Sequence, residues 1–382
     1  MSTKPAPKVW SRYCLEYFSV ENDAAMMELL GNLAAYGSHQ AALLPTGDRE
    51  VLFLSRNREE LQKHYRFVLP SGDVLERLAN KRSQYQCAES AGIPIPRTYY
   101  PTTPADVEQI AATIRFPCVI KPAYSHIWRD RRKDIGLRRW LKAAEVSTPE
   151  ELRSAYKQMS QSRVELIVQE RIDGPESRLY SFYAYLNRNS NPLALCVIQK
   201  LRQWPVEYGT GCYSVTCRRD EVVALGLNLL KKIGYVGMAN LEFKQDLRDG
   251  TFKLIEVNVR LGERIALASA AGVDMPHIAY RDIVGAAPDP VGEYQSGVTW
   301  VNVINDTAAF LYSYRTQMSW WRWARSLLSA KSHAYFSWSD PLPFVEHVFQ
   351  TASQSAPILC ERLKSCKGGL LRPRYLSSIW RE

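Results

Sequence analysis

The sequence predicts a mixed α/β (α+β) protein with more than one domain. Strand-like runs alternate with amphipathic helical runs through most of the chain, a pattern typical of layered helices and sheets. Hydrophobic residues make up 46% of the 382 residues and charged residues 23%, so the chain can bury a sizeable core. At about 150 residues per domain, this length corresponds to two or three domains.

In the first half of the chain, helix signals dominate. Helices are expected over 24–36, 73–91 and 104–114, and strands over 51–55 and 116–122. The second helix should end at Gly92, because Pro94 and Pro96 cannot continue it. The run 116–122 is very apolar and ends at a proline, which favours a buried strand.

Residues 123–142 differ in character from their neighbours. Seven arginines and lysines crowd this segment, which has little apolar periodicity. We expect a loop or lid here.

In the second half, strand signals dominate. Strands are expected over 164–170, 178–186, 193–200, 236–244 and 251–258, and helices over 150–160 and 220–233 and within 291–382. The helix over 220–233 begins with two acids, ends with two lysines and stops at Gly234, in agreement with the helix dipole and a glycine C-cap.

The charge balance favours an anionic partner. Lysine and arginine number 49 and aspartate and glutamate 39, which gives a net charge of +10 at pH 7. Nucleotides, acidic metabolites, nucleic acids and anionic membranes all suit a basic protein, and the charge alone does not choose among them.

Targeting and metal-binding cysteine signals are missing from the sequence. No uninterrupted apolar run reaches the roughly 18 residues of a membrane span, and the polar segment 1–10 lacks the apolar core of a secretory signal. None of the eight cysteines forms a Cys-x-x-Cys pair. These features predict a cytoplasmic protein with reduced thiols.

The last predicted hairpin carries the most specific chemistry. With the turn centred on Asp249, Glu242 and Glu256 lie seven residues to either side and face each other across the ladder. Side-chain period two places Asn240 and Asn258 on the same face. Directly opposed Cβ atoms lie about 5 Å apart, and carboxylates that close repel unless one is protonated or a cation joins them.

Such oxygen ligands predict a divalent cation. Mg²⁺ prefers hard oxygen ligands and keeps positions for water and phosphate oxygens. Arg260 continues on the same side of the hairpin and could hold an anion. The alternative is an edge hairpin with solvated acids, which the apolar run around Glu256 disfavours.

A bound nucleotide would also need cationic ligands. The sequence contains neither a G-x-x-x-x-G-K-[ST] loop nor a G-x-G-x-x-G turn after a strand. Lys121 is the best candidate, because a cation at the end of such an apolar strand must find an anion or extend into water. The alternative is a strand-end lysine in water.

Several segments, in this order, resemble the ATP-grasp superfamily. They are 116–122 (FPCVIKP), 167–176 (IVQERIDGPE), 240–244 (NLEFK) and 252–260 (FKLIEVNVR). Shorter motifs resemble its predicted carboxylate–amine ligase branch: 44–48 (LPTGD), 80–82 (NKR), 91–96 (AGIPIP) and 200–205 (KLRQWP). The resemblance covers residues 10–290, and the order of the motifs makes it specific.

The resemblance implies a role for each matching residue. For the nucleotide, it implies ATP-phosphate contacts from Lys81 and Lys121, an adenine-reading hinge at Gln169, Glu170 and Ile172, and ribose contacts from Glu176. For the metal, it implies a Mg²⁺ site at Glu242, Glu256 and Asn258. For the reaction, it implies that Arg260 stabilises the transferring phosphoryl group and that Lys200 or Arg202 contacts the γ-phosphate or the substrate carboxylate. The implied cofactors are ATP and Mg²⁺, with Mn²⁺ as a substitute. Without the resemblance, Glu170 and Glu176 would be interpreted as solvated acids at a strand end.

The resemblance also implies an ATP-grasp fold in four parts. These are a truncated Rossmann-like pre-ATP-grasp domain over 1–74, an N-terminal subdomain with the lid over 75–165, a C-terminal subdomain with the metal hairpin over 166–290, and a C-terminal helical extension over 291–382. The chain differs from the family pattern at Val259, where a proline is usual, and in a lid that is rich in arginine rather than glycine. The first domain is expected to begin partway through.

The implied reaction is an ADP-forming ligation. A small-molecule carboxylate would be activated as an acyl-phosphate and then joined to an amine. Alternatives are an ATP-grasp kinase that stops at phosphoryl transfer, or a basic nucleic-acid- or membrane-binding protein with a vestigial nucleotide site.

Two basic aromatic segments carry the binding alternatives. The segment 129–142 could contact nucleic acid together with Trp128, although a solvated loop is the commoner interpretation, so no nucleic-acid partner is expected. The segment 320–328 (WWRWARSLL) could contact a membrane surface, against the alternative of a packed helix.

Overall fold

The computed structural model describes residues 7–36, 40–124, 128, 143–206, 208–286 and 288–365. They fall into two units, one over Val20–Ala334 and the other formed by Met1–Ser19 with Tyr335–Glu382. Every residue of the candidate site described below belongs to the first unit. The four-part division made from the sequence stays a prediction.

Two antiparallel sheets organise the larger unit. The strands are β1 Ala41–Ala42, β2 Tyr65–Arg66, β3 Thr98–Tyr99, β4 Cys118–Pro122, β5 Ala144–Val146, β6 Leu166–Glu170, β7 Leu179–Leu186, β8 Pro192–Trp204, β9 Thr210–Thr216, β10 Gly237–Gln245, β11 Phe252–Asn258, β12 Thr299–Val301 and β13 Ser332–His333. One sheet has the order β11-β10-β7-β8-β9-β12-β13 and the other β3-β6-β4-β5. Only the β12–β13 pair within them is parallel, and β1 and β2 form a separate parallel pair.

Helices alternate with these strands along the chain. They are α1 Asp23–Tyr36, α2 Asp48–Arg56, α3 Arg58–Leu61, α4 Gly72–Ala79, α5 Lys81–Ser90, α6 Pro104–Ala111, α7 Pro149–Met159, α8 Asp220–Lys232, α9 Ile265–Ala270, α10 Met275–Val284, α11 Val303–Tyr312, α12 Trp320–Leu328 and α13 Leu342–Ser365. The mixed α/β fold predicted from the sequence is confirmed. Among the described helices, none combines the length and the apolar character that crossing a membrane requires.

The strand predicted over 51–55 is wrong, because these residues lie within α2. The helix begins with Asp48 and Glu50 and ends with Arg56, so its charged ends complement the helix dipole. A five-residue apolar run fits either a strand or a helix, and the capping charges outside it decide the outcome.

The single helix predicted over 73–91 is two helices, α4 and α5, which are separated by Asn80. The Asn80 side chain accepts hydrogen bonds from the backbone N–H groups of Arg82 (2.7 Å) and Ser83 (3.3 Å) and so caps α5. This break places Lys81 in the first turn of the new helix.

The segment after residue 291 contributes strands as well as the expected helices. Strand β12 pairs with β9, and β13 pairs with β12, so both extend the seven-stranded sheet. The helical extension predicted from the sequence is therefore in part a continuation of this sheet.

The face of the seven-stranded sheet that bears the site changes from apolar to charged along the strands. Tyr183, Tyr185 and Cys196 occupy the apolar part and pack with residues of α9 and α10. Two residues from Tyr183 along β7, the strand register places Ser181, Glu242 and Glu256 side by side on neighbouring strands. The opposite face is covered by a separate apolar cluster that includes Phe182 and Leu241.

Candidate active site

The two predicted metal-binding glutamates face each other. Glu242 on β10 is directly opposite Glu256 on β11, and Asn240 is opposite Asn258. The predicted juxtaposition is therefore confirmed. All four side chains lie on one face, because directly opposed residues share a face of the ladder.

A β-bulge at Ile255 produces this register. Phe243 pairs with Leu254 rather than with Ile255, so two residues of β11 oppose one of β10 between Glu242 and Phe243. The extra residue resets the alternation of β11, so that Leu254 and Val257 are both buried while Glu256 remains on the site face.

Lysines hold both carboxylates. Lys81 Nζ is paired with Glu256 Oε1, and Lys200 Nζ lies 3.0 Å from Glu242 Oε2. Burial disfavours the charges of Lys81 and Glu256, but their attraction outweighs it, so the pKa of Lys81 is raised and that of Glu256 is lowered. The Glu256 carboxylate is therefore ionised at neutral pH.

Lys121, near the end of β4, is a third buried lysine of the site. Its Nζ contacts the hydroxyl oxygen of Tyr85 at 3.1 Å. Burial, together with the positive charge of Lys81, lowers the pKa of Lys121 to about 7. A triphosphate beside it would restore the full positive charge.

Helix α5 links the sheets at this point. Gln84 donates to the carbonyl of Val257 (3.0 Å) and accepts from its N–H (3.0 Å), as a neighbouring strand would. The Tyr85 hydroxyl donates to the carbonyl of Ile255, the bulge residue, at 2.7 Å. The helix therefore provides hydrogen-bond partners for the backbone at the outer edge of β11 and holds Lys81 and Tyr85 over the site.

The predicted hinge lies at the end of β6. The Glu170 carboxylate accepts hydrogen bonds from Lys253 Nζ (3.0 Å), Arg248 Nη2 (3.1 Å) and the backbone N–H of Arg97 (3.0 Å). This side chain ties the four-stranded sheet to the β10–β11 turn. The Glu170 side chain is therefore fully engaged within the protein, and its predicted contact with adenine stays a prediction.

The other hinge residues surround the same region. Gln169 Nε2 donates to Thr98 Oγ1 at 2.7 Å, and the buried Ile172 accepts from Lys244 Nζ at 2.9 Å through its carbonyl. Glu176 begins a single turn of 3₁₀ helix, and its charge acts on Lys244. The contacts with Lys244 place Ile172 near Glu176, and the predicted roles of all three residues stay predictions.

Arg260 contacts the first part of the chain. Its Nε donates to Asp48 Oδ1 at 2.7 Å, and both side chains are about a quarter exposed. Asp48 belongs to the segment 44–48 on which the resemblance partly rests. The structure thus brings two separate motifs together at the rim of the site.

Arg202 points elsewhere. Its guanidinium binds Asp306 of α11 through Nε (2.7 Å) and Nη2 (2.8 Å), and the Asp306 side chain is fully buried. It also lies over the ring of Tyr213. Of the two residues predicted to meet the γ-phosphate or substrate carboxylate, Lys200 lies beside Glu242, whereas Arg202 is engaged by this ion pair.

Sequence reasoning missed Arg264, which lies in the site. This arginine is 3% exposed, lies 3.5 Å from Glu242 Oε1 and donates to Ser181 Oγ at 2.8 Å. Gly211 leaves the space for it, since a Cβ there would come within 2.8 Å of its Nη1. The sequence offered one signal for this residue, an arginine four positions after Arg260. The segment around it has no strand or helix pattern that would assign the side chain to a face.

The oxygen atoms present fit a hard divalent cation. Besides Glu242, Glu256 and Asn258, the buried Asn240 Oδ1 has no hydrogen-bond donor within the described part of the chain. Within the same residues, no three His, Cys, Asp or Glu side chains are grouped as a complete protein cage. Mg²⁺ suits this arrangement, because it commonly binds through one or two carboxylates and completes its shell with water and phosphate oxygens.

The predicted lid over 123–142 lies outside the described residues, apart from its first two positions and Trp128. Trp128 is 2% exposed and packs in the core of the four-stranded sheet with Ile120 and Val168. Its ring is therefore part of the hydrophobic core rather than a platform for a nucleic-acid base.

Comparison with known proteins agrees with this geometry. Residues 215–287 match the family described as carbamoyl-phosphate synthase L chain, ATP binding domain. The D-aspartate ligase of Enterococcus faecium (strain Aus0004) is 27% identical over 264 residues, which are 66% of this chain and 60% of that ligase. The D-alanine–D-alanine ligase of Pseudomonas entomophila (strain L48) is 26% identical over 223 residues, which are 55% of this chain and 64% of that ligase.

The match therefore spans less than two thirds of either ligase. Among solved structures, the biotin carboxylase domain of the Hydrogenobacter thermophilus 2-oxoglutarate carboxylase, in complex with MgADP, ADP and bicarbonate, superposes with a TM-score of 0.59. It is 17% identical and covers 74% of this chain and 62% of that chain, so the likeness is one of fold. With fold, motif order and sequence matches in agreement, the chain belongs to the ATP-grasp superfamily.

Proposed function

We propose that the chain is an ATP- and Mg²⁺-dependent ligase that activates a small-molecule carboxylate as an acyl-phosphate and joins it to an amine. The observation that carries the proposal is the Glu242–Glu256 pair, with each carboxylate held by a lysine in a site rich in buried cations. The named activities of the sequence relatives, D-aspartate ligase and D-alanine–D-alanine ligase, are of this class.

The charges of the chain suit a metal–triphosphate complex. Lys81, Lys121, Lys200 and Arg264 are buried around two carboxylates, so the described cations exceed the acids. Glu242, Glu256 and Asn258 would hold Mg²⁺, which would supply a Lewis acid at phosphate oxygens. Lys81 and Lys200 can then exchange their carboxylate partners for phosphate oxygens.

The remaining chemistry is positioning and charge neutralisation. In phosphoryl transfer the protein chiefly aligns the reactants and stabilises charge on the transferring group. Lys121 and Arg260 would neutralise the phosphoryl oxygens, and Arg264 would neutralise the carboxylate that is activated. Water must be excluded, because an acyl-phosphate hydrolyses readily.

The test is turnover with pooled substrates. The chain would be incubated with Mg²⁺ and ATP, with pooled carboxylates and amines, while ADP release and product mass are measured together. We expect an amide product whose formation requires both substrates and is accompanied by ADP. A stable phosphorylated product that forms without an amine would indicate a kinase, and nucleotide binding without turnover would contradict catalysis.

Glu256→Gln tests the metal assignment. We expect it to lower Mg²⁺-dependent ADP release by at least ~100-fold, the scale seen when one preorganised electrostatic group is removed from a transition state. Glu76→Gln, an exposed change on α4, serves as the matched control. Wild-type activity in a folded Glu256→Gln protein would contradict the metal site.

A further inference from the structure

Helix α12 presents an exposed aromatic and basic face that the proposed site does not use. Trp321 is 73% exposed and Leu328 is 86% exposed, and both lie on one stripe because they are seven residues apart. Arg322 and Arg325 are exposed beside them, and the nine residues of the helix include no acid. An exposed stripe of this kind is unusual on a surface that faces only water.

The opposite face of α12 is already packed. Trp323 stacks on Phe310 with ring centroids 4.7 Å apart, and its indole N–H donates to Asp306 Oδ2 at 3.0 Å. Ser326 Oγ accepts from Arg202 Nη2 at 3.0 Å. The helix is thus held by its own core contacts, and Trp321 and Leu328 project outward from a fixed support.

The side chains on the exposed face of α12 indicate which kind of partner it fits. Tryptophan and leucine beside arginine are typical of helices that lie in a bilayer interface, where apolar side chains enter the acyl boundary and arginines meet lipid phosphates. Tyr312, at the end of α11, is 53% exposed, and Arg315 follows it on the exposed surface. The absence of acids from the helix matches a negatively charged partner.

We propose that the exposed face of α12 docks on an anionic lipid bilayer. This inference does not depend on the ligase proposal, because it rests on surface side chains and not on the site. It extends the membrane alternative raised by the sequence by separating the docking side chains from those that pack.

The test is co-sedimentation of the full chain with vesicles of phosphatidylcholine alone or mixed with phosphatidylglycerol. We expect binding to the mixed vesicles that weakens as salt is added, because exposed charges are screened. Arg322→Gln with Arg325→Gln should reduce partitioning by about 30-fold, since each basic residue near an anionic surface contributes a factor of about five. Trp321→Ser with Leu328→Ser should also reduce it.

Matched variants separate docking from general effects. Arg77→Gln on α4 changes an exposed arginine and Tyr280→Ser on α10 changes an exposed aromatic residue, and both variants should bind like the wild type. Thermal unfolding of each variant checks that the fold is retained. Equal binding by the α12 variants, or no preference for phosphatidylglycerol, would overturn the proposal. The proposal would also be overturned if the wild type forms a dimer without vesicles and Trp321→Ser with Leu328→Ser abolishes that dimer.

Discussion

Lys81 and Lys200 act as internal counter-ions to the two acids of the hairpin. Each holds one carboxylate of the Glu242–Glu256 pair, which would otherwise repel across the ladder. If a divalent cation takes these carboxylates, the lysines become available to phosphate oxygens at the same moment. Exchange of partners thus avoids leaving a buried charge uncompensated, which would be strongly unfavourable.

Lys121 makes the stability of the ligand-free protein depend on pH. Burial and the charge of Lys81 lower its pKa to about 7, whereas an unfolded lysine titrates near ~10.4. Between these values the unfolded chain binds a proton that the folded chain lacks, so this group makes the free energy of unfolding rise with pH. Below that window the destabilisation is fully present.

Replacing Lys121 removes this destabilisation. Lys121→Met should raise the free energy of unfolding, relative to the wild type, more at pH 6 than at pH 9, as measured by urea denaturation without nucleotide. Lys157→Met, an exposed change on α7, should show no such pH-dependent gain. An equal effect of Lys121→Met at both pH values would show that the lysine is not a buried cation at pH 6.

Among the elements, α5 does the most to assemble the site. Its Gln84 completes the hydrogen bonds of the Val257 backbone on an edge strand. Gln84→Leu would leave that buried N–H and C=O unpaired, which should lower the free energy of unfolding by about 1–3 kcal/mol. Gln86→Leu, an exposed change on the same helix, should stay within about 0.5 kcal/mol in the same denaturant experiment.

The hairpin shows how far the sequence could predict the site. Period two and a turn centred on Asp249 predicted Glu242 opposite Glu256. In the structure, the pairs nearer the turn are shifted by one residue from that register, and the bulge at Ile255 restores the pairing of the two glutamates. Neither signal revealed the bulge, whose Ile255 carbonyl accepts a hydrogen bond from Tyr85, 170 positions away. A bulge is stabilised by such a distant partner, so no local pattern announces it.

Other differences between the predicted and the observed structure also come from contacts that a local sequence pattern does not contain. The break at Asn80 depends on a side-chain cap within a helical pattern that continues on both sides of it. Asparagine favours caps, but a single asparagine in a continuous pattern did not by itself mark a new helix start. Arg264 entered the site because Gly211, on another strand, leaves room for its guanidinium. Charged residues with a strand or helix period could be assigned to a face, whereas those in loops could not.

At the scale of the whole molecule, the segment after residue 291 is tied to the strand that carries Lys200. The buried pair of Arg202 with Asp306 joins β8 to α11, and Trp323 of α12 donates to the same carboxylate. The residues of this network are drawn from three separate regions of the chain. Helices α11 and α12 are therefore part of the structure that positions β8.

This network predicts strong coupling between Arg202 and Asp306. Asp306→Asn should lower the free energy of unfolding by about 3–5 kcal/mol, because it leaves a buried guanidinium without its carboxylate, whereas Arg202→Met with Asp306→Asn should lose much less than the sum of the single changes. Chemical denaturation of the two single variants and the double variant measures the coupling, and additive losses would contradict it.

The same proteins test the remaining role predicted for Arg202. If Arg202 only ties α11 to β8, a folded double variant should retain ADP release, whereas a large loss of turnover would mean that this arginine also meets the γ-phosphate or the substrate carboxylate.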